Sequence, residues 1–91
     1  MAMEAGFNSD ITHSGRQFHV QTEDWGDNNP YIVTRIFQSG AVLVSLKTAY
    51  SKILGQEAPN PRLAVRLAMR EQHQRVLDQL VSGTLNSDSL K

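Results

Sequence analysis

Tyr31 to Lys47 reads YIVTRIFQSGAVLVSLK. Two apolar, β-branched runs flank a turn signal, and this stretch decides the fold. Ile32, Val33, Thr34, Ile36 and Phe37 precede the turn; Val42, Leu43, Val44 and Leu46 follow it. Both runs have strand composition, so the stretch predicts a hairpin at the centre of a small sheet. Two registers compete. A two-residue loop pairs Phe37 with Val42 and Arg35 with Val44, and scatters the apolar residues over both faces. A three-residue loop Gln38-Ser39-Gly40, with Gly40 in the left-handed position of a bulge, pairs Phe37 with Ala41, Ile36 with Val42, Thr34 with Val44 and Ile32 with Leu46. That register gathers Ile32, Ile36, Val42, Val44 and Leu46 on one face, so burial selects it. The second face then carries Tyr31, Val33, Arg35, Phe37, Leu43, Ser45 and Lys47. It is more apolar than a solvated sheet surface, which implies a cover or a partner.

Upstream, Phe7 to His13 alternates apolar with polar residues, Ser14-Gly15 is a two-residue turn signal, and Phe18, Val20 and Thr22 resume the alternation. Pairing across that turn sets Ile11 opposite Phe18, Ser9 opposite Val20 and Phe7 opposite Thr22, which brings the apolar residues together. Glu23 to Pro30, EDWGDNNP, reads as a loop. Its Trp25 is either a recognition anchor or, the reading preferred, a ring folded back over the end of the core.

Downstream, Thr48 is expected to cap a short helix over Ala49 to Leu54, closed by Gly55. Gln56 to Asn60 is a linker. Asn60-Pro61 starts a long helix running to about Ser82, with Gly83 as its stop. Val65, Met69, Val76 and Leu80 form its apolar stripe, widened by Leu63, Leu67, Leu77 and Val81. Residues 1–6 are expected to be disordered, 7–83 to form a single domain and 84–91 to be a flexible tail. The expected fold is α+β: an antiparallel four-stranded β-meander packed on a long C-terminal helix, a two-layer sandwich.

The 91 residues leave room for one domain. A formal net charge of zero creates no overall field for nucleic acid or an anionic membrane. The lack of cysteine excludes disulfides and thiol chemistry and leaves the redox compartment open. No apolar run approaches a membrane span, and the N-terminus lacks the features of a secretory signal, so the expected location is cytoplasmic.

Candidate chemistry is sparse. Asp10 and His19 face one another across the first hairpin, which suits a base and its orienting carboxylate; an ordinary cross-strand pair is the plainer reading. His13, His19 and His73 lack metal-ligand spacing, with His13 and His19 on opposite faces, and Glu23, Asp24 and Asp27 lack a calcium-loop pattern. No metal or cofactor is therefore expected. No phosphate-binding, hydrolase or metalloprotease motif occurs, so no enzymatic activity is expected. Arg62, Arg66 and Arg70 recur every four residues on the long helix, with Arg75 near, and such a ridge can contact phosphates or an acidic partner.

The segments FNSDI (7–11), GRQFHVQTED (15–24) and PYIVT (30–34) resemble a family of short bacterial proteins with the pattern FNSDI…HVQTED…P-(F/Y)-I before an apolar hairpin. The resemblance covers the first half of the chain and implies a shared fold and bacterial origin; it brings no activity with it. The element order is also similar to the double-stranded-RNA-binding domain, but that family's leading helix and lysine-rich last helix have no counterpart here. Taken together, the residues lead to the expectation of a self-associating interaction module, a homodimer through Trp25, Tyr31, Val33, Phe37 and Leu43 or a contact with another protein. Nucleic-acid binding through the arginine ridge is the alternative.

Overall fold

The computed structural model describes residues 6–55 and 59–83. In chain order it contains β1 (Phe7–His13), β2 (Arg16–Asp24), β3 (Tyr31–Gln38), β4 (Ala41–Ala49), α1 (Tyr50–Ile53) and α2 (Pro61–Ser82). The four strands form one antiparallel sheet in the order β1-β2-β3-β4, with α2 against one face. This is the α+β meander-and-helix sandwich that the sequence predicts. The expected disorder over residues 1–6 and the tail over 84–91 lie outside the described residues, save Gly6. That glycine already sits close on β2: a Cβ there would meet the Thr22 carbonyl oxygen at 2.6 Å.

The first hairpin takes the expected register, with Ile11 opposite Phe18, Ser9 opposite Val20 and Phe7 opposite Thr22. Its turn places Ser14 and Gly15 at φ 53° and 76°, both left-handed, as a two-residue hairpin loop requires.

The second hairpin corrects the expectation. Its loop has two residues, not three: Gln38 pairs with Ala41 and Phe37 with Val42, and Ser39 and Gly40 take φ 53° and 80°. The extra residue sits inside β4. Between Phe37↔Val42 and Ile36↔Val44 the register shifts by one, leaving Leu43 as a bulge. Beyond it Thr34 pairs with Leu46 and Ile32 with Thr48. Burial still sorts the residues, as the period-two argument demands, but the slip is taken up in the strand rather than in the loop. Val44 and Leu46 consequently reach the helix face, whereas Val42, expected there, stays with Phe37 and is 52% exposed.

α2 begins and ends as the sequence indicates. The Asn60 side chain accepts from the Leu63 N–H at 3.1 Å, Pro61 opens the first turn, and Gly83 closes the helix at φ 75°. α1 is shorter than expected, and Thr48 is not its cap. Ala49 holds the cap position without a side-chain bond, because the Thr48 hydroxyl turns inward to the Gln72 Oε1 at 2.6 Å.

The core has two apolar clusters with a polar layer between them. Phe18, Val20 and Ile36 meet Val76 and Leu80 in one; Ile32 and Tyr50 meet Val65 and Met69 in the other. Along β3 the order is Ile32, Thr34, Ile36, and along α2 it is Met69, Gln72-His73, Val76. The polar residues therefore align across the layers, and Thr22, Thr34, Gln72 and His73 are all buried.

Candidate functional site

Three surfaces bear on function. The sheet face away from α2 is the one where the sequence places a partner. It is covered from within. The loop after β2 closes through Trp25 N–H to the Tyr31 carbonyl at 3.0 Å and Asn29 N–H to the Gly26 carbonyl at 3.2 Å. This returns the Trp25 ring to the sheet, where the Arg35 guanidinium lies 5.5 Å and the Lys47 ammonium 5.1 Å from its centroid. Lys47 also lies 4.3 Å from the Tyr31 ring centre. Arg35 and Lys47 flank Val33, which is only 2% exposed. Val33 is thus buried beneath its own neighbours rather than offered to a partner. Trp25, Tyr31 and Phe37 are half-buried, and of the five expected interface residues Leu43 alone is well exposed, at 48%. Trp25 folds back as anticipated, but over the sheet's outer face rather than the end of the core. Each cation–ring contact at such an exposed position contributes about 0.5–1 kcal/mol.

The same face carries the Asp10–His19 pair in the predicted register. His19 Nδ1 lies 2.9 Å from Asp10 Oδ1 and Nε2 lies 3.2 Å from Asn8 Oδ1, while the ring packs 6.0 Å from Phe37. Both ring nitrogens are engaged within the sheet, and Asp10 and His19 line an opening of about 500 Å³ together with Gln17, Phe37, Ser39 and Gly40. Among the described residues no group of three His, Cys, Asp or Glu could hold a metal ion.

The arginines of α2 are all exposed. At about 100° per residue, Arg62, Arg66 and Arg70 climb one flank of the helix, but Arg75 falls about 140° further round. The structure therefore divides the ridge: three arginines lie on one flank, and Arg75 lines a groove on the other.

That groove is the third surface. α2 packs chiefly on β1, β2 and β3 and leaves β4 as an edge strand beside it. Between α2, α1 and the end of β4 runs an opening of about 410 Å³, lined by Thr48, Ile53, Ala64, Leu67, Glu71 and Gln72 among others. Leu67 is 46% exposed, and Leu63, one turn earlier, is 48% exposed. At the other end of β4 the bulge presents Val42 and Leu43. Sequence reading found the broad apolar girth of α2 but not its consequence, because which flank stays open depends on where the helix crosses the sheet. Lys52, Glu71 and Arg75 line the same groove with charges of both signs.

Beneath these surfaces lie two buried polar clusters that the sequence did not disclose. Asp24, 2% exposed, accepts from the Gly26 N–H at 2.9 Å and from the Tyr50 hydroxyl, tying the loop after β2 to α1. Burial first, then the hydrogen bond to Asp24, push the Tyr50 phenol well above the usual tyrosine range. The second cluster surrounds His73, with Thr22 Oγ1 at 2.8 Å from Nδ1 and Ser9 Oγ at 2.9 Å from Nε2. Burial, with a smaller contribution from the charge of His19, holds the His73 imidazole below the usual histidine range. The available signal was a heptad-like stripe, Val65, Met69, Val76, Leu80, whose missing middle turn is filled by Gln72 and His73.

No family model, no curated protein and no solved structure matches this chain.

Proposed function

We propose that this chain is a non-enzymatic interaction module that acts as a homodimer, with the β4 edge and the adjoining flank of α2 as the contact surface. One observation carries the reading: α2 is set over β1 to β3, so Leu63 and Leu67 stand 48% and 46% exposed on it, beside β4, an edge strand among the described residues. Exposed apolar groups collected beside an unpaired edge mark a surface that gains by association. Charges of both signs in the groove favour a self-complementary contact, in which Glu71 of one copy meets Lys52 or Arg75 of the other. The bulge at Leu43 bends the start of β4 away from simple strand addition, so the contact is assigned to side chains.

Light scattering tests it. The expected mass is twice 10.2 kDa at micromolar concentration and at both low and high salt. Leu67→Glu is expected to weaken association by more than about tenfold, since it buries a charge in an apolar contact. A wild-type mass of one chain would remove the proposal. Dissociation by Phe37→Glu with no effect of Leu67→Glu would move the interface to the outer sheet face. Nucleic acid that copurifies and is stripped by salt would transfer the role to Arg62, Arg66 and Arg70.

A further inference from the structure

The buried polar layer is one continuous chain of hydrogen bonds across the sandwich. The Thr48 hydroxyl donates to Gln72 Oε1 at 2.6 Å, and Gln72 Nε2 donates to Thr34 Oγ1 at 2.9 Å. Thr34 Oγ1 and Thr22 Oγ1 are 2.7 Å apart, and Thr22 Oγ1 is 2.8 Å from His73 Nδ1. His73 Nε2 is 2.9 Å from Ser9 Oγ. Proton counting favours one direction. Thr34 already accepts from Gln72, so its single proton goes to Thr22, whose proton in turn goes to His73 Nδ1. The imidazole is then neutral, with its proton on Nε2 donated to Ser9. In the opposite direction Thr34 would accept from both Gln72 and Thr22 and donate to neither.

We propose that this chain links His73 to the groove between β4 and α2, so that a proton taken up by His73 reverses its hydrogen bonds and turns over the Gln72 amide at the groove floor. With both ring nitrogens donating, Thr22 must accept from Nδ1 and give its proton to Thr34. Thr34 must then donate to Gln72, which requires Oε1 where Nε2 now sits. The amide rotates, Nε2 turns towards Thr48, and both the Thr48-to-Oε1 bond and the 3.5 Å contact from Nε2 to the Leu46 carbonyl are lost. Thr48 and Gln72 line the groove, so the change appears on that surface.

Among the described residues, none of the groups facing His73 is a carboxylate that would take up the new charge. β1 presents Ser9 and the Phe7 ring, 5.9 Å away, β2 presents Thr22, and β3 presents Thr34. Asp24, further along β2, is held by Tyr50 and Gly26. His19 acts on His73 from the outer face, and on α2 itself Arg70 and Glu71 are exposed. Burial keeps the ring neutral at neutral pH, so the proton arrives below the usual histidine range.

Nitrogen-15 and proton NMR on the wild-type chain is the test. At about pH 7.5 the expected His73 tautomer is Nε2–H. As pH falls below about 6.5, the Gln72 side-chain amide signals should move in step with the His73 ring. In Thr22→Val the ring should still titrate while Gln72 stays still, because the link is cut. An Nδ1–H tautomer at neutral pH, Gln72 signals unmoved through the His73 titration, or a ring that stays neutral until the chain unfolds would each overturn the proposal. The effect on dimer affinity rests on the self-association reading and is measured separately, by light scattering over the same pH range. A wild type already monomeric at about pH 7.5 would fail that reading and leave the NMR result standing.

Discussion

At the scale of single residues, buried polar side chains carry the most specific consequences. Asp24 holds the Tyr50 hydroxyl in a place that water does not reach, so Tyr50→Phe leaves a buried carboxylate one donor short. The expected loss is about 1–3 kcal/mol, read from urea denaturation. The raised Tyr50 phenol adds a pH signature. In the unfolded chain it ionises near its ordinary value of about 10, whereas in the folded chain it keeps its proton. Folding therefore binds the proton more tightly. The contribution is intact below about pH 10 and is lost as pH rises above it. By ultraviolet absorbance Tyr50 should titrate only on unfolding, and Tyr50→Phe should delete that late step. His73 has the opposite signature. Its folded form is held below the ordinary range, so the unfolded chain takes the proton first. Its stabilising contribution is present above about pH 6.5 and falls away on acidification, with a slope of at most about 1.4 kcal/mol per pH unit. Thermal unfolding from neutral to mildly acidic pH should show this slope in the wild type and its reduction in His73→Gln. Equal slopes in the two proteins would mean that His73 is not its source.

At the scale of elements, the turns and caps are the adjustable parts. Both hairpins use Ser-Gly with two successive left-handed residues, at Ser14-Gly15 and Ser39-Gly40. Serine tolerates that region less well than asparagine. Ser14→Asn and Ser39→Asn should therefore each raise stability by up to about 0.5 kcal/mol, detectable as a higher melting temperature. Asn60→Ala should cost about 1 kcal/mol by removing the acceptor for the Leu63 N–H at the start of α2. The bulge at Leu43 has a different weight. Deleting Leu43 would leave the ladder in place, with Val42 still opposite Phe37 and Val44 opposite Ile36, and would remove only the local bend. Cooperative unfolding should therefore survive the deletion, with a modest change in stability by urea denaturation, as for Leu43→Ala.

At the scale of the whole molecule, the meander, the long helix and its stops were legible because their signals are local: alternation of period two, turn dipeptides, and Asn60-Pro61 with Gly83 as helix ends. The Asp10–His19 pairing was also legible, since a tight turn fixes its own register. The second register was not. Loop and bulge can each supply the one-residue shift that sorts Val44 and Leu46 inward, and sequence pattern alone weighs them equally. Nor was the candidate surface legible. Leu63 and Leu67 are apolar at helical spacing, just as Val65 and Met69 are; their exposure follows from the crossing of α2 over β1 to β3. Val33 shows the converse, an expected interface residue that is buried between Arg35 and Lys47, both of which lie over the Trp25 ring. By itself, then, the sequence determined which segments become strands and helices, where each ends, and that one sheet face bears the core. Tertiary structure decided where the extra residue of the second hairpin resides, which apolar residues stay exposed, and how Ser9, Thr22, Thr34, Thr48, Gln72 and His73 join into one layer. The reason is physical. Backbone periodicity and turn geometry act between near neighbours in the chain, whereas burial and buried hydrogen bonds depend on atoms brought together only when the helix meets the sheet.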